Sequence, residues 1–260
     1  RLGHDTTYDH MFLDGLEDAY EEGRAMGTFA QETANDYQMT REEMDEYSIE
    51  SLRRANAAID SGAFADEVVP VTFSTRKGEV TVEHDEQPGK GRPDKIPQLR
   101  PAFAKDGTIT AATSSSISDG AAAVVLSRES VAKANGQQPV AKIVAMAAHA
   151  QEPAQFTVAP IGAIEKVLDK AGWSADEVEL WEVNEAFACV AMFAMRDIGI
   201  PHDKINVNGG GTALGHPIGA SGTRIIVTLL NALKQQGKKR GVASLCIGGG
   251  EATAVAVELV

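Results

Sequence analysis

From Val140 onward, short apolar runs alternate with helical patterns, and this alternation restricts the architecture more than any other property. Strands are expected at 140–148, 179–184, 205–208, 241–247 and 252–259, with helices at 160–171, 186–197 and 220–236. Strands separated by helices pair in parallel through right-handed crossovers. The last two runs are joined only by the glycines of CIGGG, too short for a crossover, so that pair is expected to be antiparallel. The expectation is an α/β unit of order β-α-β-α-β-α-β-β around a mostly parallel sheet. Such sheets place their sites at the carboxyl ends of strands. NEAF (184–187), NVNGGG (206–211) and CIGGG (246–250) all fall there.

The first hundred residues are less regular and rich in charge. TREEMDEYSIESLRRANAAIDSG opens with a capping box, Thr40 and Glu43, and sets Met44, Tyr47, Leu52, Ala55 and Ile59 on one face. An earlier helix is expected over 11–21, two short strands over EVVPVTF and EVTVEH around a Lys77-Gly78 turn, and a loop over 88–101. AAAVVLS (121–127) is apolar throughout and reads as a buried strand, followed by a short helix.

GGGTALGHPIGASG (209–222) crowds glycines around His216 and runs straight into the apolar TRIIVTLLNAL. A flexible linker would be polar and serine-rich. Glycines here point instead to close backbone approach or positive φ, in a shaped loop that presents a histidine at the start of a helix. Other patterns carry less. GASG lacks the spacing of a nucleophile elbow, SVAK is a chance S-x-x-K, and no G-x-G-x-x-G opens a helix. His4 and His10 have no clustered partners, so no metal site is expected.

The 260 residues carry a formal net charge of −13, which argues against nucleic acid as a partner. Against this background Lys90, Arg92, Lys95, Arg100 and Lys105 face only Asp94 within 87–105, a cationic loop suited to a small polyanion such as a nucleotide phosphate. No apolar run reaches membrane-spanning length, and two cysteines, Cys189 and Cys246, fit a reducing, cytoplasmic setting. The start at Arg1 reads as processing, cleavage or a fragment.

NEAFA, NVNGGGTALGHPIGASG and CIGGG, in this order and spacing, resemble the thiolase family. TAATSSSISDGAAAVVLS (110–127), DGLEDAY, AMGTFAQ and LRPAF extend the likeness over essentially the whole chain. The resemblance implies a thiolase-like fold. It divides the chain into a loop domain (1–116, irregular α+β), the closing helix and strand of an N-terminal domain (117–138), and a C-terminal domain (139–260). It also implies reversible acyl transfer between CoA thioesters, in which a 3-ketoacyl-CoA is formed or cleaved with acetyl-CoA as one product. The family's nucleophilic cysteine belongs to an N-terminal half for which this sequence has no counterpart. That half is therefore an expected partner, as is a second copy in a homodimer or homotetramer.

The resemblance also assigns roles. His216 activates the nucleophile and, with a water held by Asn184, forms an oxyanion hole. Cys246 exchanges the α-proton of acetyl-CoA, and the Gly248 N–H contributes to a second oxyanion hole. Leu16, Met26, Phe103, Ala111, Ser115, Ala186 and Phe187 line a pantetheine tunnel, with Lys90 and Arg92 proposed for the ADP phosphates. CoA and acyl-CoA are substrates, and no permanently bound cofactor is implied. Glu185, at a strand-to-helix junction, reads as structural, and Cys189 as a buried core thiol. Ala25 stands where acetoacetyl-type members carry histidine, and Thr113 where they carry asparagine, which is closer to degradative 3-ketoacyl-CoA thiolases. The alternatives are a decarboxylating ketoacyl synthase relative and a non-catalytic CoA-binding fragment.

Overall fold

A computed structural model describes residues 2–260. The first part of the chain forms α1 (His10–Gly15), α2 (Met26–Asp36), α3 (Arg41–Asp60), a hairpin of β1 (Val71–Thr75) and β2 (Gly78–Val82), and the short α4 (Gln87–Lys90). Then follow α5 (Glu129–Ala134), β3 (Ala141–Ala150), α6 (Ala159–Ala171), β4 (Leu180–Val183) and α7 (Ala188–Ile198). The chain continues with α8 (Gly211–Leu214), α9 (Ser221–Gln235), β5 (Arg240–Ile247) and β6 (Glu251–Leu259). No helix among the described residues is long and apolar enough to cross a membrane.

β3 to β6 form a four-stranded sheet of order β3-β6-β5-β4. β4 pairs with β5 in parallel, whereas β6 runs antiparallel to both β5 and β3. Three strands share one direction, and the single reversed strand is the one reached by the glycine turn; because β6 is inserted between β3 and β5, only one of the three ladders is parallel, against the expectation of mostly parallel pairing. The sheet is covered on both sides. Leu180, Ala243 and Val257 pack with Ile225, Leu229 and Leu233 of α9. Trp181, Val183, Val242 and Cys246 face the other way, into the larger core with α6 and α7. This is the period-two alternation of a strand used on both faces. Along β4 it also sends Glu182, two residues from Leu180, to the α9 side.

α3 begins as the capping box requires. Thr40 Oγ1 accepts from the Glu43 N–H at 3.2 Å, and Glu43 Oε2 accepts from the Thr40 N–H at 2.9 Å. Its buried stripe, Met44, Tyr47, Ser51, Leu52 and Ala55, turns toward the sheet domain.

Several expectations need correction. The first helix is shorter than 11–21, because the chain leaves helical geometry at Leu16. α2 has no sequence signature of the usual kind: no side chain caps it, and its buried face is Gly27, Phe29, Ala30, Gln31, Thr33 and Ala34, all but Phe29 small or polar. The loop 88–101 contains α4 and a 3₁₀ turn at Pro93–Gln98, pinned by buried Pro88 and Ile96. The run 121–127 is not a buried strand: Val125 is 95% and Leu126 71% exposed, and it joins no ladder among the described residues. Apolar composition supplies a wish to be buried but no hydrogen-bonding neighbour, and a strand needs both.

The run 205–208 is likewise not a strand beyond one parallel bridge between Ile205 and Trp181. Asn206 takes φ 46° and turns the chain away. Its side-chain amide replaces the lost ladder: Val183 N–H donates to Asn206 Oδ1 at 2.9 Å, and Asn206 Nδ2 donates to the Val183 carbonyl at 2.8 Å.

Replacing Thr40 with alanine removes one side of the α3 cap. The expected loss is about 1 kcal/mol, read as a lowered midpoint in urea unfolding with an unchanged slope.

Candidate active site

The geometry of the site begins with Glu185, fully buried just beyond β4. Its Oε1 accepts from Tyr47 Oη at 2.9 Å and Asn206 Nδ2 at 2.8 Å. Its Oε2 accepts from Ser51 Oγ at 2.8 Å, Thr212 Oγ1 at 2.7 Å and the Thr212 N–H at 3.1 Å. One carboxylate therefore clamps α3, the NVNGGG turn and α8 together. The glycines follow from this clamp. Gly209 has φ 80°, and a Cβ there would lie 2.7 Å from the Ser51 carbonyl. A Cβ on Gly210 would collide with the Glu185 carboxyl itself.

α8 leads directly to His216, which sits partly buried between two segments. Its backbone N–H donates to the Ser116 carbonyl at 3.0 Å. Nδ1 lies 2.6 Å from Ser221 Oγ, in the first turn of α9, and that hydroxyl donates to the Pro217 carbonyl at 3.1 Å. Nδ1 and Ser221 Oγ share one hydrogen, and which of them donates depends on the imidazole tautomer; with the hydroxyl proton on the Pro217 carbonyl, Nδ1 donates and Nε2 is the acceptor. Burial, and secondly the charge of Arg224, push the imidazole down to about 4, so it is neutral near pH 7.

Cys246, near the carboxyl end of β5, is buried, and burial pushes its thiol up to about 12. Cys189 lies in the first turn of α7, also wholly buried, with its thiol pushed up by burial and by the neighbouring Cys246. Both are free. Asn184 is 1% exposed, yet neither atom of its side-chain amide has a protein partner. Buried amides are almost always paired, and this one, next in sequence to Glu185, is an exception.

The residues expected along the tunnel form a nearly continuous series. The Met26 N–H donates to the Leu16 carbonyl at 2.9 Å. A Cβ on Gly248 would lie 3.3 Å from Met26 Sδ, so the start of α2 reaches the CIGGG turn. Phe103 packs flat against Gly27 and meets Phe187 edge-on, ring centroids 5.9 Å apart. Ser115 donates to the Ala186 carbonyl through both its N–H and its Oγ, each at 2.9 Å. Ala111 is exposed at the edge of this strip, in the Thr110–Ser114 turn. Lys90 and Arg92 are exposed, and Lys90 is paired with Glu86 at 2.7 Å. No described contact joins these two to the tunnel series.

Ser221, Tyr47, Ser51, Asn206 and Arg224 were not singled out as site residues by sequence. Only Ser221 had an available signal, as the first hydroxyl after His216 in the helix-opening GASG. A cavity of about 640 Å³ lies between the ends of α2 and α7, with Tyr47 and His202 stacked in its wall, ring centroids 5.3 Å apart.

Comparison with known proteins gives one answer. The family model for the thiolase N-terminal domain matches residues 1–130, and that for the thiolase C-terminal domain matches residues 137–259. An acetyl-CoA acetyltransferase of Yarrowia lipolytica is 48% identical over 259 residues, which cover 100% of this chain and 64% of the relative. The crystal structure of the Bacillus anthracis acetyl-CoA acetyltransferase superposes with TM-score 0.95 at 40% identity, covering 100% of this chain and 66% of that one. A thiolase of Ascaris suum, solved in complex with coenzyme A, superposes with TM-score 0.89 at 39% identity over the same shares. The chain thus spans about two thirds of the length of the relatives it matches.

Two outcomes test this geometry. Gly210→Ala should lower stability by about 2–4 kcal/mol, whereas Gly219→Ala, with nothing within 4 Å of the new methyl, should be close to neutral; chemical unfolding compares them. The second concerns acid. Below the ordinary histidine value of 6.5 the unfolded chain binds a proton at His216 that the native chain refuses until about 4. Stability present above pH 6.5 is therefore lost as pH falls through that window. His216→Gln should lose less stability than the parent between pH 7 and pH 4, measured by urea unfolding at both.

Proposed function

This chain belongs to the thiolase family, and we propose that the corner built by His216, Asn184, Cys246 and Gly248 performs the proton transfers and charge stabilisation of acyl transfer between CoA thioesters. The observation that carries the proposal is the neutral His216, held by Ser221, together with the buried Asn184 amide, which has no protein partner and lies against Gly211 at the start of α8, the helix that leads to His216.

The chemistry needs a thiolate to accept the acyl group. Neither cysteine here is assigned that role: Cys189 is wholly buried in the α7 core, and Cys246 takes the α-proton step. On this reading the nucleophilic cysteine is supplied by the N-terminal half of the protein, outside the 260 residues. Its S–H proton passes to His216 Nε2 as sulfur attacks the acyl-CoA carbonyl, and the departing CoA thiolate takes that proton back. The oxyanion formed between these events accepts hydrogen bonds from the His216 side and from a water on the Asn184 amide.

In the condensation half, Cys246 as thiolate removes the α-proton of acetyl-CoA. The resulting carbanion attacks the acyl-enzyme carbonyl and frees the nucleophilic sulfur. Thiolysis is the reverse, and a thiol held protonated is then ready to donate. The Gly248 N–H serves the thioester oxygen of the enolate.

The strip from Leu16 and Met26 through Phe103, Phe187, Ala186, Ser115 and Ala111 receives pantetheine, with Lys90 and Arg92 toward the phosphates. Residues 1–116 act as loop domain, 117–138 as the closing piece of the N-terminal domain and 139–260 as C-terminal domain. The acting form is a homodimer or homotetramer in the cytoplasm. Exposed Val71, Phe73, Val80 and Val82 on the hairpin support association. The decarboxylating synthase and the inert CoA-binding fragment are not favoured, since both family models matched are those of thiolases.

The test uses the whole protein. Cys246→Ser should leave acylation by labelled acetyl-CoA largely intact while slowing α-proton exchange by about 10²–10⁴-fold. His216→Ala should impair acylation itself. Equal loss of both steps in the two variants, or turnover of malonyl thioesters alone, would overturn the assignment.

A further inference from the structure

Gly215, His216 and Pro217 are each held by one segment, 116–120, which the acyl-transfer scheme does not use. His216 forms a one-residue parallel bridge with Ile117, and its backbone N–H donates to the Ser116 carbonyl at 3.0 Å. The same carbonyl accepts from Ser118 Oγ at 3.2 Å, and Ser118 Oγ lies 3.0 Å from Ser116 Oγ. Gly215, at φ 91° and ψ 169°, packs against these two hydroxyls: a Cβ there would collide with Ser118 Oγ and lie 3.1 Å from Ser116 Oγ. Ile117, between them, is 55% exposed, so the segment alternates as an extended chain does. Beyond His216, the Pro217 ring rests on Gly120, where a Cβ would lie 2.7 Å from Pro217 Cγ.

We propose that Ser118 is a positioning residue for His216: its hydroxyl, bonded to the Ser116 carbonyl and seated against Gly215, fixes where the imidazole stands, while Ser221 fixes how the ring is turned. This deepens the reading of His216 as the base and rests on it for its significance in turnover.

The two supports act on different parts of the residue. Ser221 meets the ring at Nδ1 and the chain at the Pro217 carbonyl, and neither contact holds the backbone on the Gly215 side. That side needs a hold of its own. Gly215 follows the last residue of α8 and lies in the left-handed region, and a residue without Cβ has the widest choice of backbone conformations. Ser118 restricts this choice twice over. Its side chain occupies the space into which a Gly215 side chain would project. Its hydroxyl also shares with the His216 N–H the two lone pairs of one carbonyl, that of Ser116. The hydroxyl therefore ties the segment to itself at the point where the segment grips the histidine.

Proton transfer from sulfur to Nε2 requires the two atoms at hydrogen-bond distance, and a misplacement of about 1 Å can cost about 10²-fold in rate. The test is Ser118→Ala in the whole protein, read in two ways. Hydrogen exchange followed by mass spectrometry should show the peptide that carries His216 exchanging about fivefold faster, the effect of one ordinary hydrogen bond on local opening, with the β5 and β6 peptides unchanged. Acylation by labelled acetyl-CoA should slow about tenfold, while KM for acetyl-CoA and α-proton exchange by Cys246 stay close to the parent. A residue that served only the fold would lower both steps together and speed exchange throughout. Unchanged exchange at the His216 peptide overturns the proposal, and so does equal loss of acylation and α-proton exchange. The hydrogen-exchange measurement reads the hold on His216 itself, so it decides the role of Ser118 independently of whether the protein transfers acyl groups.

Discussion

The Glu185 carboxylate is the interaction on which the rest of the site depends. Taking a carboxylate out of water costs several kcal/mol, and here the cost is offset by five donor groups on four residues, Tyr47 and Ser51 of α3, Asn206 and Thr212. Hydrogen bonds to an ionised acceptor are among the stronger ones, and the buried hydroxyls of Tyr47 and Ser51 would lose the acceptor they donate to if the carboxylate were removed. The clamp thereby makes the packing of α3 on the sheet domain and the shape of the NVNGGG turn a single event. His216 comes directly after that turn and α8, so its position is inherited from a residue that touches no reacting atom.

A second organising fact is the use of both faces of one sheet. Cys246 projects toward α6 and α7, in the same core as Cys189. His216 is delivered from the other side, by the turn that opens α9 and by Ser221 within it. The two proposed proton carriers thus have separate supports, and their environments differ accordingly. Burial among apolar side chains raises the thiol, while burial, and secondly the charge of Arg224, lowers the imidazole. Two groups with opposite resting proton affinities are what reversible chemistry at a thioester requires.

Much of this was legible in the sequence, for reasons that differ by residue. The capping box at Thr40 is a local device and needs no tertiary knowledge. The strand–helix alternation after Val140 follows from periodicity, and the reversed final strand from loop length. The glycines of 209–211 were readable as a close approach, although what approaches them, the Glu185 carboxyl and the α3 backbone, was not. α2 escaped because its buried face consists largely of small and polar residues whose partners lie far along the chain: Gly27 beneath Phe103, and Gln31 bonded to Thr108. Asn206 misled because an amide that imitates a peptide group leaves no mark on hydrophobic patterning. The run 121–127 misled in the opposite sense, since its composition describes an environment that no other described segment provides.

The place of β6 bears on how such a chain can be made. It is last in order yet lies between β3 and β5, hydrogen-bonded along both of its edges. While the chain emerges from a ribosome, β3 therefore has no strand to pair with until the residues after Glu251 arrive. At about 5–20 residues per second that interval is on the order of ten seconds. Throughout it Ile143 and Met146, which remain 43% and 62% exposed even after folding, stand on an open strand edge. Assembly of the sheet therefore waits on the strand that is made last of the four, and β3 is joined to the other strands only through it.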